Sequence, residues 1–151
     1  LSNRSQRSDT LTLGLCPSPY IEPPVRVTSS LVPSKRFPLR NASDYHFGTY
    51  TRVASPCKAG DYILFTFEEP VDCESVDLRT GIPNVTRYIV TKGRVAWSSD
   101  GRSFIEAGSL NESGQIVWKP HKPVRAIRVS IEGSNGETAV CWQDLRITPT
   151  R

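Results

Sequence analysis

Apolar and polar residues alternate with period two in two stretches of this chain. Ile63, Phe65 and Phe67 interleave with Tyr62, Leu64 and Thr66, and Ile127, Val129 and Ile131 interleave with Arg128, Ser130 and Glu132. Successive side chains of a strand point to opposite faces, so each stretch predicts a strand with one buried face. Further strands are expected at residues 25–30, 75–80, 94–98, 115–119 and 139–147. Turn chemistry separates them at Glu69-Pro70, Asp100-Gly101, Glu112-Ser113-Gly114, Pro120 and Asn135-Gly136. Residues 61–78 read as a simple hairpin turning at Glu69-Pro70. No segment carries a long helical stripe, so the expected fold is all-β, a single antiparallel β-sandwich of jelly-roll type.

At 151 residues the chain is long enough for one domain with a real core and short for two. Residues 1–20 are polar and then punctuated by Pro17, Pro19 and, just beyond, Pro23 and Pro24; they read as an extended lead-in or linker, with the sandwich expected over 21–151. No apolar run approaches the ~18 residues of a membrane-spanning helix. The net charge of +4 is spread among acidic residues without a run or stripe, and no nucleic-acid-binding pattern accompanies it. Nucleic acid is therefore not an expected partner.

Four of the five asparagines, Asn3, Asn41, Asn84 and Asn111, begin an Asn-x-Ser/Thr sequon, which points to glycosylation and to the secretory pathway or the cell exterior. Cys16, Cys57, Cys73 and Cys141 lack CxxC spacing, and His46 and His121 are the sole imidazoles, so disulfides fit better than zinc. With residues 61–78 as a hairpin, Cys57 and Cys73 fall near opposite ends and cannot bond. Two pairings remain: Cys16–Cys57 with Cys73–Cys141, or Cys16–Cys73 with Cys57–Cys141.

No nucleophile elbow, phosphate-binding loop, HExxH or dinucleotide fingerprint occurs. Glu68 and Glu69 lie at the expected turn, where adjacent side chains diverge, and read as solvated carboxylates. Trp97 and Trp118 share parity with Val95 and Ile116, which makes them core residues, and Trp142 in an apolar stretch reads the same way. Aromatic residues outside strands are better candidates for stacking a pyranose ring: Tyr45, Phe47, Tyr50 and Tyr88. Interleaved with them, His46, Arg52 and Arg87 can donate hydrogen bonds to sugar hydroxyls. The candidate ligand-binding set is thus His46, Tyr50, Arg52, Arg87 and Tyr88.

The segments VTSSLVPSKRFPLRNASDYHFGTYTRVASPCKAGDYILFTFEEPV, RTGIPN, RVAWSSDGRSFIEAG and AVCWQDLRI resemble the coagulation-factor type C, or discoidin-like, sandwich. More narrowly, they are similar to the family 32 carbohydrate-binding modules appended to β-N-acetylhexosaminidases of the chitobiase type. EPPVRVTSSL and AGDYILFTFEEP are also similar to the C-terminal lectin-like domain of N-acetylglucosaminyltransferase IV. The resemblance implies a non-catalytic carbohydrate-binding or accessory module of a glycan-processing enzyme. Its partner would be a glycan of terminal Gal or GlcNAc type, or the parent enzyme's catalytic domain. The rival expectation is an adhesion or scaffold domain, or a purely structural one without a sugar ligand. Where such modules have a Trp before the Gly-Asp turn, this chain has Arg52, which leaves Tyr50 as the stacking residue. The resemblance further implies no organic cofactor and a possible structural calcium at Asp44, Thr49 and Asp144, although the Asp-Gly usual in such sites does not follow Asp44.

Overall fold

The computed structural model describes residues 18–53, 56–85, 87–133 and 139–151. Asn3, Cys16 and the expected Asn135-Gly136 turn lie outside the described residues. Among the described residues nine strands form two antiparallel sheets: β1 (Val25–Ser29), β2 (Thr51–Val53), β3 (Tyr62–Val71), β4 (Cys73–Thr80), β5 (Gly93–Ser98), β6 (Ile105–Ser109), β7 (Gln115–Trp118), β8 (Val124–Ile131) and β9 (Val140–Pro149). One sheet has the order β1-β3-β8-β5-β6 and the other β2-β9-β4-β7. A single turn of 3-10 helix, Leu39–Ala42, precedes β2. The expected all-β sandwich is therefore observed, and no helix among the described residues is long and apolar enough to cross a membrane.

Alternation supplies the core. Ile63, Phe65 and Phe67 of β3, Ile127, Val129 and Ile131 of β8, and Val95 and Trp97 of β5 face Val76 and Leu78 of β4 and Trp142, Leu145 and Ile147 of β9, all buried. Each such side chain contributes about 1.5–3 kcal/mol when fully withdrawn from water. All three tryptophans are buried, as parity predicts for Trp97 and Trp118 and the apolar stretch for Trp142.

The expected hairpin at Glu69-Pro70 does not form. β3 runs through Pro70 to Val71, and β4 then joins the opposite sheet. Beyond Thr66, five steps along β3 match two along β8, so the extra residues bulge outward as exposed Glu68, Glu69 and Pro70. Pro70 has no N–H to offer a ladder, and a bulge demands none. Val71 and Cys73 are both buried, which carries the apolar face across Asp72 into the second sheet.

Register also corrects the cysteine expectation. Cys73 lies opposite Pro149 at one end of β9, while Cys141 lies opposite Arg52 near the other. Eight residues of strand separate the two positions by roughly 25 Å, far beyond the ~7 Å limit for a disulfide. Cys73 and Cys141 are unbonded, so neither the Cys73–Cys141 bond nor the Cys57–Cys141 bond exists.

Candidate functional site

The edge strand β2 sets up the most distinctive side-chain cluster. Thr51 and Val53 are fully buried, and Thr51 donates its hydroxyl to the carbonyl of Pro38 at 2.8 Å, which ties β2 to the 3-10 turn. Strand alternation then turns Arg52 to the other face, and Tyr50 immediately precedes the strand. The Arg52 backbone N–H donates to the Phe37 carbonyl at 3.3 Å, and its own carbonyl accepts from Ser34 at 2.8 Å.

Two guanidinium groups converge on one ring. Arg52 lies 4.8 Å and Arg87 5.1 Å from the centroid of Tyr88, within cation–π range. Tyr88 has φ 58, a left-handed conformation costly for a bulky residue, and its carbonyl accepts from the Cys141 N–H at 2.9 Å. Asn84, in the same loop, has φ 62. The ring is half-buried and Arg87 is exposed. Tyr50 stacks on Phe37 with centroids 4.8 Å apart and an interplanar angle of 16°, and Arg36 covers Phe37 at 5.5 Å.

Of the five expected ligand residues, the structure joins Arg52, Arg87 and Tyr88 directly and places Tyr50 two residues before Arg52, just ahead of β2. His46 occupies a different turn, exposed, with its N–H donating to Asp44 Oδ1 at 2.9 Å. The loop aromatics Tyr45 and Phe47 are packing residues. Tyr45 donates its hydroxyl to the Pro23 carbonyl at 2.6 Å, and burial, then the Glu22 carboxylate, pushes its phenol far above the ordinary range. Phe47 meets Tyr20 edge-on at 5.7 Å under the Arg146 guanidinium at 4.1 Å. Phe37 was not among the expected residues; a lone aromatic between Arg36 and Pro38 has no periodicity to mark it.

The expected calcium ligands divide into two environments. Thr49 Oγ1 lies 2.9 and 2.8 Å from the two Asp44 carboxylate oxygens and 2.8 Å from the His46 carbonyl. Asp144 is instead bonded through Oδ2 to Arg146 Nε at 3.3 Å, while its Oδ1 is buried without a hydrogen-bond partner. Burial raises the Asp144 carboxyl above its ordinary range, opposed by the Arg146 and Arg79 charges. Calcium takes six to eight oxygens, and among the described residues no group of three or more His, Cys, Asp or Glu is placed to hold a metal ion.

The loop carrying Tyr88 also borders a cleft of about 480 Å³ at the end of β4, lined by Arg79, Asn84, Ile89, Glu112, Gln115 and Gln143 among others. Gln143 is the extra residue where the β4–β9 register shifts between Arg79 and Thr80. Below it, Asp77 pairs with Arg79 at 2.9 Å and accepts from Gln115 at 2.9 Å.

No family model and no curated protein matches this chain. Solved structures do, and they define the class first: the fold is that of the discoidin-like, galactose-binding-type jelly roll. More particularly, it is the fold of family 32 carbohydrate-binding modules. One such module, from a family 31 glycoside hydrolase of Clostridium perfringens, superposes with a TM-score of 0.66 at 13% identity over 86% of this chain and 99% of its own. The family 32 module of C. perfringens NanJ in complex with galactose gives 0.62 at 12% identity, covering 82% of this chain and 92% of the other. A family 89 glycoside hydrolase from the same organism gives 0.62 at 14% identity; 87% of this chain is covered, but only 15% of that much longer enzyme. Identities this low establish the fold alone.

Proposed function

We propose that this domain is a non-catalytic carbohydrate-binding or accessory module of a glycan-processing enzyme, and that it takes a terminal Gal or GlcNAc residue at Tyr88. The observation that carries this reading is the pair of guanidinium groups, Arg52 and Arg87, held over one half-buried ring in a left-handed backbone conformation. A sugar in water already has its hydroxyls hydrogen-bonded, so an open site gains from desolvating the sugar's C–H surface against an aromatic ring. Guanidinium groups add donors in a fixed fork that selects hydroxyl orientation. Tyr50 and Phe37 extend the apolar surface along β2, and His46 offers a further donor. Structural neighbours with this fold, in complex with galactose or with GalNAc-β-1,3-galactose, support the ligand class.

Calorimetric titration with galactosides and GlcNAc glycosides tests the reading. Wild type is expected to bind with Kd of about millimolar to micromolar. Tyr88→Ala and Arg52→Ala are expected to weaken binding at least about tenfold with little change in melting temperature. A wild type that binds no glycan at millimolar concentration even after enzymatic deglycosylation ends the proposal. Asn84 gives the structural alternative its one specific support: it is exposed on the loop of Arg87 and Tyr88, where an attached glycan would cover the cluster. Enzymatic deglycosylation that unmasks binding would show that the site is real and shielded.

Secretion, use of the sequons and a Cys16–Cys57 bond belong to the same proposal. Asn111 uses Oδ1 to accept from Ser113 and Gln115, which leaves its amide nitrogen for a glycan, whereas the Asn41 amide donates to the Tyr50 carbonyl at 3.1 Å. Burial raises the Cys73 and Cys141 thiols to about 11, so native alkylation at neutral pH is expected to be slow. After unfolding without reductant, intact mass is expected to show labels at Cys73 and Cys141 alone; labels on all four cysteines would exclude the bond.

A further inference from the structure

We propose a second carbohydrate site on the outer face of the five-stranded sheet, one that takes an anionic glycan, carboxylated or sulfated, along β3 and β8. It rests on the carbohydrate-module reading for its class of ligand, but it uses none of the residues around Tyr88. The floor is set by alternation. Tyr62, Leu64 and Thr66 occupy successive outward positions of β3, each roughly 7 Å from the next. Leu64 lies opposite Arg128 of β8, and Thr66 lies opposite Arg26 of β1.

Two depressions run along this face. The first, about 340 Å³, is walled by Tyr62, Leu64, Phe104 and Arg128. The second, about 370 Å³, is walled by Arg26, Thr66, Glu68 and Arg125. Gly101 borders the first, and a Cβ built on it would stand 3.5 Å from Arg125 Cγ, so Arg125 rises directly beside the first depression while lining the second. The two therefore form one track, aromatic at one end and basic at the other.

Its chemistry selects a charged sugar. Arg79, Arg94 and Arg146 are all ion-paired on this molecule, whereas Arg26, Arg125 and Arg128 enter no ion pair among the described residues. Glu68 is the carboxylate that lines the second depression; of the other acids nearby, Asp100 turns Oδ1 to the backbone of its own loop, and Glu106 and Glu132 are both engaged by Arg94. A guanidinium fork matches a carboxylate or sulfate in two-point fashion. The Arg128 guanidinium is already aligned 4.5 Å over the Phe104 ring, and Tyr62, 37% exposed, offers the facing apolar wall for sugar C–H groups. Phe104 follows a rigid turn: Asp100 Oδ1 accepts from the N–H groups of Arg102 and Ser103 and from the Ser98 hydroxyl, all at 2.8 Å. The platform is thus formed before any ligand arrives.

The test uses two oligosaccharide probes, a hyaluronan hexasaccharide, which carries carboxylates without sulfate, and a dextran sulfate hexasaccharide, which carries sulfates without carboxylate, titrated at low salt. Binding of at least one is expected, reduced about tenfold or more by Arg128→Ala and also by Phe104→Ala, and unchanged in Arg40→Ala, a basic residue on another surface. Arg52→Ala and Tyr88→Ala are expected to leave it intact, which separates this site from the galactoside site: either can fail while the other stands. Absence of binding to both probes overturns the proposal. So does an equal loss in Arg40→Ala, binding indifferent to Phe104, or inorganic polyphosphate bound as tightly as the oligosaccharides, since each would reduce the effect to net charge.

Discussion

Trp142→Ala is expected to lower the unfolding free energy by about 3–5 kcal/mol. Trp142 is 1% exposed on β9 and stands opposite Thr51 of β2 and Thr80 of β4, so one indole fills the core where three strands meet. Truncation removes its transfer free energy and leaves a cavity that backbone on both sides keeps from collapsing. The indole Nε1 has no hydrogen-bond partner. Trp142→Phe, which deletes that buried donor while keeping a ring, is therefore expected to recover much of the loss. Urea unfolding measures both: the midpoint should fall in the order wild type, Phe, Ala at constant m-value. A loss under about 1 kcal/mol for the alanine variant would place the ring outside a packed core.

Gly114→Ala is expected to cost about 2–5 kcal/mol, the sum of a left-handed backbone penalty and overpacking. Gly114 has φ 69 in the turn before β7, and a Cβ there would collide with Ile89 Cγ2 and Thr80 Oγ1. Thr80 is not free to give way, because its hydroxyl donates to the Gly114 carbonyl at 2.8 Å and accepts from the Val90 N–H at 3.0 Å. Ile89 adjoins Tyr88, so relief of the clash pushes the loop that holds the ring. Gly60→Ala supplies the contrast: φ is 95 but nothing lies within 4 Å, and the backbone penalty of about 1–2 kcal/mol stands alone. Gly114→Ala is expected to lose stability and galactoside affinity together, Gly60→Ala stability alone. Undiminished affinity in a folded Gly114→Ala protein would detach the loop from the site.

Strands with one buried face were legible in the chain because burial itself imposes the period: residues 62–67 and 127–131 could alternate in no other way and still bury Phe65 and Ile127. β6 escaped notice because Ile105–Ser109 is an edge strand with no buried residue, and alternation leaves no trace where neither face is buried. β2 is three residues long, too short for any period to show. The Glu69-Pro70 turn was misread for a related reason. Pro and adjacent charges mark a break in a ladder, and a bulge breaks a ladder as well as a turn does.

Residue types in the candidate sites were equally visible, but their grouping was not. Tyr45, Phe47, Tyr50 and Tyr88 are alike as sequence, being aromatic residues in polar surroundings. Packing committed Tyr45 to the Pro23 carbonyl and Phe47 to Tyr20, and left Tyr88 between two arginines thirty-five residues apart in the chain. Cys73 and Cys141 likewise looked bondable until the β4–β9 register set Cys73 beside the end of β9 remote from Cys141. Local physics therefore determined that this protein is a two-layer β-sandwich with its tryptophans inside, since that follows from side-chain period and burial. Which loops meet, which arginines lack carboxylates and which thiols stay apart depended on register and crossover between the sheets, set by long-range packing that no local pattern encodes.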